Sequence, residues 1–147
     1  MSLKQVVNSG DYFIIPMSDG RQAICQAVWI GKNSSGQTFK RVFAFCVLSV
    51  GNGKNIPEEV SYLSFQEYDG PFKVIFTAVD KLFSGEWPVI GSGPIVDQKM
   101  VNLEFHMAGD LYVCGEFVKV LPGEKYKDYL EMAVAGYVLV DRYLKQH

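Results

Sequence analysis

Apolar and polar positions along this chain fall mostly into short stretches with the alternation of strands. The clearest is residues 10–30, GDYFIIPMSDGRQAICQAVWI. Two runs rich in Ile, Tyr, Phe and Val flank Asp19-Gly20, a pair that tolerates the positive φ of a two-residue hairpin turn. With that pair as the loop, Ser18 faces Arg21, Pro16 faces Ala23 and Ile14 faces Cys25. Pro16 has no N–H to give a ladder, which puts its strand at a sheet edge or ends it there. On the returning strand, Ala23, Cys25, Ala27 and Trp29 share one face, and Ile24, Val28 and Ile30 the other. Residues 31–36, GKNSSG, read as a loop. From Val42 to Val50 both faces are again apolar, and the β-branched and aromatic content favours a central strand over a helix.

The following segments are more mixed. Residues 51–55, GNGKN, form a turn. They fail as a phosphate loop, because Leu48 stands where the first glycine should be and Asn55 replaces the Ser or Thr that holds magnesium. Residues 56–72 suit a helix start at Pro57-Glu58-Glu59, yet also alternate like a strand from Val60 to Phe65. Both readings stay open. Residues 73–76 predict a short strand. Thr77 and Asp80 then have capping-box spacing ahead of a short helix that Gly85 would stop. Residues 86–91 read as an extended piece around Pro88, and residues 92–99 as loop. Residues 100–107 predict a strand with Val101, Leu103, Phe105 and Met107 inward and Asn102, Glu104 and His106 outward. After a turn at Ala108-Gly109-Asp110, residues 111–121 return as its partner. Beyond Pro122-Gly123, residues Tyr126, Tyr129, Leu130, Ala133, Val134, Tyr137 and Val138 recur at helical spacing. They predict one long helix over 124–144, with Glu124 and Arg142 at the ends that suit its dipole. The expected fold is therefore α+β: a bent antiparallel sheet of about six strands, open or barrel-like, with one long C-terminal helix packed on it.

Composition narrows the class. A chain of 147 residues fits a single domain spanning 1–147, burying about 70% of its unfolded surface. The net charge of −2 lacks the basic surplus of a non-specific nucleic-acid binder, so no nucleic acid is expected as partner. Cys25, Cys46 and Cys114 each sit in an apolar pattern and read as buried thiols of a reducing compartment. The first nine residues hold no apolar leader, and the longest apolar run, 132–140, is too short to span a bilayer. The expectation is a cytoplasmic protein with no membrane partner.

Candidate chemistry is sparse. With no Cys-x-x-Cys and no His-x-x-x-His, neither a metal nor another cofactor is expected. His106 lies two residues from Glu104 and near Asp110, the makings of an acid–base pair for a small hydrolase. Aromatic side chains beside Lys40 and Arg41 could instead serve a ligand- or nucleic-acid-binding barrel face. Residues 56–72 hold four acids, Glu58, Glu59, Glu67 and Asp69, and no Lys or Arg. They read either as a solvated face or, with Tyr62 and Tyr68, as a docking patch for a basic partner.

Two stretches carry a family resemblance. Residues 10–20, GDYFIIPMSDG, are similar to the opening Gly-Asp-x-Phe-x-Ile-Pro-x-x-Asp-Gly of the immunity protein 26 family of bacterial polymorphic-toxin systems. Residues 85–91, GEWPVIG, are similar to that family's Gly-x-Trp-x-x-Ile-Gly. Gln26 stands where the family pattern leads one to expect a small residue. The resemblance implies a non-enzymatic protein that binds and neutralises a cognate toxin. It assigns no contact residues. The residue chemistry points to Glu58, Glu59, Tyr62, Glu67, Tyr68 and Asp69 as partner-binding, and to Trp87 as a core anchor.

Overall fold

The computed structural model describes residues 5–53, 55–67 and 70–147. Strands β1 (Asp11–Pro16), β2 (Gln22–Ile30) and β3 (Val42–Gly51) come first. The short strands β4 (Phe65–Glu67), β5 (Gly70–Phe72) and β6 (Ile75–Ala78) follow. Helix α1 (Asp80–Ser84), strand β7 (Val89–Ser92) and helix α2 (Gln98–Val101) lead into a meander of β8 (Glu104–Met107), β9 (Asp110–Val113) and β10 (Glu116–Val120). The chain ends with β11 (Leu130–Glu131), β12 (Val134–Ala135) and α3 (Tyr137–Leu144). These strands form a six-stranded sheet in the order β12-β6-β3-β2-β1-β7, a four-stranded sheet β10-β9-β8-β11, and the hairpin β4-β5.

The expected fold class is overturned. Strand accounts for 40% of the described residues and helix, 3-10 turns included, for 19%, so the fold is mostly β. Among the described residues there are three sheets rather than one. The largest is not antiparallel throughout, because β12 runs parallel to β6, and it does not close into a barrel. The long C-terminal helix is absent. Residues Gly123–Asp128 make a 3-10 turn, Tyr129 is extended, and Leu130–Glu131 and Val134–Ala135 add as parallel edge strands to β8 and β6. Only the last eight residues of the predicted span, with Gly136 at the N-cap, are α-helical. The apolar ring around the predicted helix is thereby explained. Met132 packs into the core between the two larger sheets and Ala135 into the core on the other face of the large sheet, while Glu131, Ala133 and Val134 are exposed.

The β1–β2 hairpin forms one residue away from the expected register. Pro16 pairs with Gln22 and Ile14 with Ile24. The Met17 N–H donates to Arg21 O (2.8 Å) and the Gly20 N–H to Met17 O (3.1 Å), so the loop is Ser18-Asp19-Gly20. Only Gly20 takes a positive φ, +91°. The Asp19 carboxylate accepts from the Arg21 N–H (3.0 Å) and Nε (2.9 Å), which favours the three-residue loop over a two-residue turn. Strand β1 ends at Pro16, and β7 pairs only with its first three residues.

A bulge corrects the faces of β2. Ala27 pairs with Phe45 and Trp29 with Ala44, which leaves Val28 as the extra residue. Ala27 keeps the face of Ala23 and Cys25, but Trp29 turns to the other side and packs on Phe39, Phe76 and Phe105. One face of the large sheet thus carries Phe13, Phe43 and Phe45 against Trp87 and α3. The opposite face carries Ala44, Cys46 and Phe76 against the four-stranded sheet.

The meander also differs from the expected hairpin. Residues 98–101 turn into α2, whose N-cap Asp97 accepts from the Lys99 N–H. The strand expected over 111–121 breaks at Cys114-Gly115, with φ of +50° and +83°. Ala108-Gly109 makes the same kind of two-residue loop, with φ of +51° and +92°. The capping box does not form either. Thr77 lies in β6, where its buried hydroxyl donates to Ala135 O (2.6 Å), and Val79 caps α1 without a side-chain bond.

Candidate interaction surface

Residues 56–67 of the acidic segment pass across the edge of β3. Residues Ile56, Val60 and Tyr62 pack beside Tyr12, Ile24 and Leu48 on one face of the sheet. At Leu63, whose N–H donates to Val47 O (2.8 Å), the chain crosses the β3 edge, and Phe65 enters the core of the opposite face. Glu58 and Glu59 are exposed on the first side. Glu67 is exposed on the second, where its carboxylate accepts from the Tyr143 hydroxyl (2.7 Å). Burial, together with that carboxylate, pushes the Tyr143 phenol up to about 12. Tyr62 is half-buried and its hydroxyl donates to Gln26 Oε1 (2.6 Å). Tyr68 and Asp69 lie outside the described residues.

Gln26 is fully buried and organises the neighbourhood. Its Nε2 donates to the carbonyls of Gly10 (3.1 Å), Gly93 (3.0 Å) and Pro94 (3.3 Å). The two family-like stretches meet here. Tyr12 pairs with Gly91 and Phe13 with Val89 across β1–β7, and the Gly93 N–H donates to Gly10 O. Trp87 is buried against Phe13, Phe43, Phe45 and Tyr137.

His106 is placed otherwise than expected. It is 4% exposed rather than outward, and its Nδ1 accepts from the Gly109 N–H (3.3 Å) while its ring packs on Tyr126. Among the described residues no hydrogen bond or ion pair joins it to Glu104 or Asp110. The imidazole lines a cleft of about 890 Å³ walled by Phe72, Tyr126, Leu130, Glu131 and Tyr143. Its register neighbour across the parallel β8–β11 pair is Glu131, an acid the sequence places 25 residues away inside an apparent helix. Nothing local to His106 signalled that neighbour.

Lys40 and Arg41 line a smaller concavity of about 560 Å³ with Lys32, Val79, Asp80 and Phe83. Arg41 pairs with Asp80 (3.6 Å) and Lys32 lies over the Phe83 ring (5.3 Å). Phe39 beside them is buried, so the exposed, coplanar aromatics that base stacking requires are not gathered at Lys40 and Arg41. Burial pushes the Cys25 thiol up, and raises that of Cys46 to about 12, keeping both protonated. Cys114 is only half-buried.

The chain matches no family model, no curated protein and no solved structure. Among the described residues no helix is long and apolar enough to cross a membrane, and no three His, Cys, Asp or Glu side chains gather as metal ligands would.

Proposed function

We propose that this chain is an immunity protein that binds and neutralises a cognate bacterial toxin by stoichiometric surface complementarity. The observation that carries the reading is the meeting of its two family-like stretches, 10–20 and 85–91. Though 65 or more residues apart in sequence, they pair as β1 and β7 and stack Phe13 on Trp87. A resemblance made of two unrelated fragments would have no reason to assemble into one structural unit. The proposed contact surface is the part of the acidic segment before the crossing at Leu63, which carries Glu58 and Glu59. Their exposure, with no ion pair to either carboxylate among the described residues, leaves them free to meet a basic partner.

The experiment is co-expression with the toxin domain encoded by the adjacent reading frame, followed by isolation of the complex. Protection of the cell and a 1:1 complex are expected. The double variant Glu58→Lys/Glu59→Lys should weaken binding by about tenfold or more, as like charges replace complementary ones. Full protection by a folded double variant would remove this patch. A neighbouring product that neither binds nor is neutralised would remove the function itself.

A further inference from the structure

Among the described residues strand β10 has no strand partner beyond β9, and each of its residues is exposed. Phe117, Val118 and Val120 are 58%, 50% and 69% exposed. An edge leaves a row of N–H and C=O groups without strand partners, and apolar side chains beside that row invite another strand. Phe117 pairs with Tyr112 and Val120 with Asp110. Tyr112 and Asp110 are two apart on β9, so Phe117 and Val120 share a face. The bulge at Val118 makes this so, since a regular strand would put residues three apart on opposite faces.

We propose that β10 pairs with β10 of a second copy of this chain, antiparallel across a two-fold axis. The argument is charge complementarity within the strand, Glu-Phe-Val-Lys-Val. Lys119 is the charge that would guard such an edge against pairing. In one antiparallel register it faces Glu116 of the second copy, and the two-fold axis repeats the pair. Counted through the bulge at Val118, which puts Glu116 and Lys119 on one face, the same register sets Phe117 against Phe117 of the second copy at the axis. The neighbouring registers that a two-fold axis allows set Lys119 against Lys119 or Glu116 against Glu116, like charges that oppose pairing. Glu116 is already fixed at the head of the strand, where the Ser35 amide and hydroxyl donate to its carboxylate and hold it below the usual carboxylate range. Pairing would join two four-stranded sheets edge to edge. Five residues bury less than a stable dimer needs, so the association is weak and appears at high concentration.

Sedimentation velocity of the full chain between about 5 and about 500 µM tests this, the range in which so small an interface is populated. The weight-average mass should rise from 16.5 kDa toward twice that value. Phe117→Glu should stay monomeric throughout with an unchanged circular dichroism spectrum. Lys119→Glu and Glu116→Lys should each stay monomeric alone, yet associate when mixed, because the mixed pair restores both charge contacts. A monomeric wild type at every concentration would overturn the proposal. So would a dimer that survives Phe117→Glu, or charge variants that fail to associate on mixing while the wild type does.

Discussion

The indole of Trp87 lies on the ring of Phe13, centroids 6.0 Å apart and planes 16° from parallel. Phe43 and Phe45 meet it edge-on, and Tyr137 of α3 closes the far side. Three segments distant in sequence, β1, β3 and α3, therefore share one side chain. Trp87→Ala should cost about 3–5 kcal/mol through lost burial and the cavity left behind. Trp87→Phe should cost less, because it keeps the apolar contact with Phe13. Urea denaturation followed by circular dichroism checks both. A loss under about 1 kcal/mol for the alanine variant would mean that the aromatic cluster closes around the gap.

That cluster was readable in outline. The apolar faces of β3 followed from alternation alone: Phe43, Phe45 and Val47 do share one core, and Val42, Ala44 and Cys46 another. What the sequence hid depends on long-range pairing. Leu130, Ala133, Val134 and Tyr137 have helical spacing, but β6 and β8 offer free edges to residues 130–135, and edge pairing prevails over periodicity. The single-residue bulges at Val28 and Val118 leave no compositional mark, yet each reverses the side to which later side chains point. Cys114-Gly115 was invisible as a turn because Cys is not a usual turn residue. The acidic side chains could be named from sequence. Their division across the β3 edge could not, since it follows from the crossing at Leu63.

Gln26 and Tyr62 form a coupled pair. The Tyr62 hydroxyl donates to Gln26 Oε1, while the Gln26 amide nitrogen serves three carbonyls on two other segments. Gln26→Leu strands the hydroxyl and those carbonyls in a buried setting and should cost on the order of 2–4 kcal/mol. Tyr62→Phe leaves only one acceptor unmet and should cost about 1–2 kcal/mol. The double variant should cost less than the sum, because the phenylalanine has no hydroxyl left to strand. A strictly additive double-mutant cycle would show that the two side chains act independently.

Asp141 ties the first hairpin to the last helix and should make stability depend on acid. Its Oδ1 accepts from the Ser18 N–H (2.9 Å), its Oδ2 from the Ser18 hydroxyl (2.6 Å), and Lys145 Nζ stands 3.1 Å away. The Ser18 hydroxyl and amide, then Lys145, hold the carboxyl below its ordinary 3.8. A carboxyl lowered in the folded state binds its proton more readily in the unfolded chain. Its contribution is thus complete above 3.8 and is lost as pH falls through the lower folded value. Asp141→Asn should be less stable than the wild type by a constant margin from pH 7 down to about pH 5, with the margin shrinking below 3.8 and closing once Asp141 is protonated. Urea midpoints measured across that range decide the matter. A margin that stays constant into strong acid would assign the Ser18–Asp141 link to neutral hydrogen bonding, with no part played by the charge.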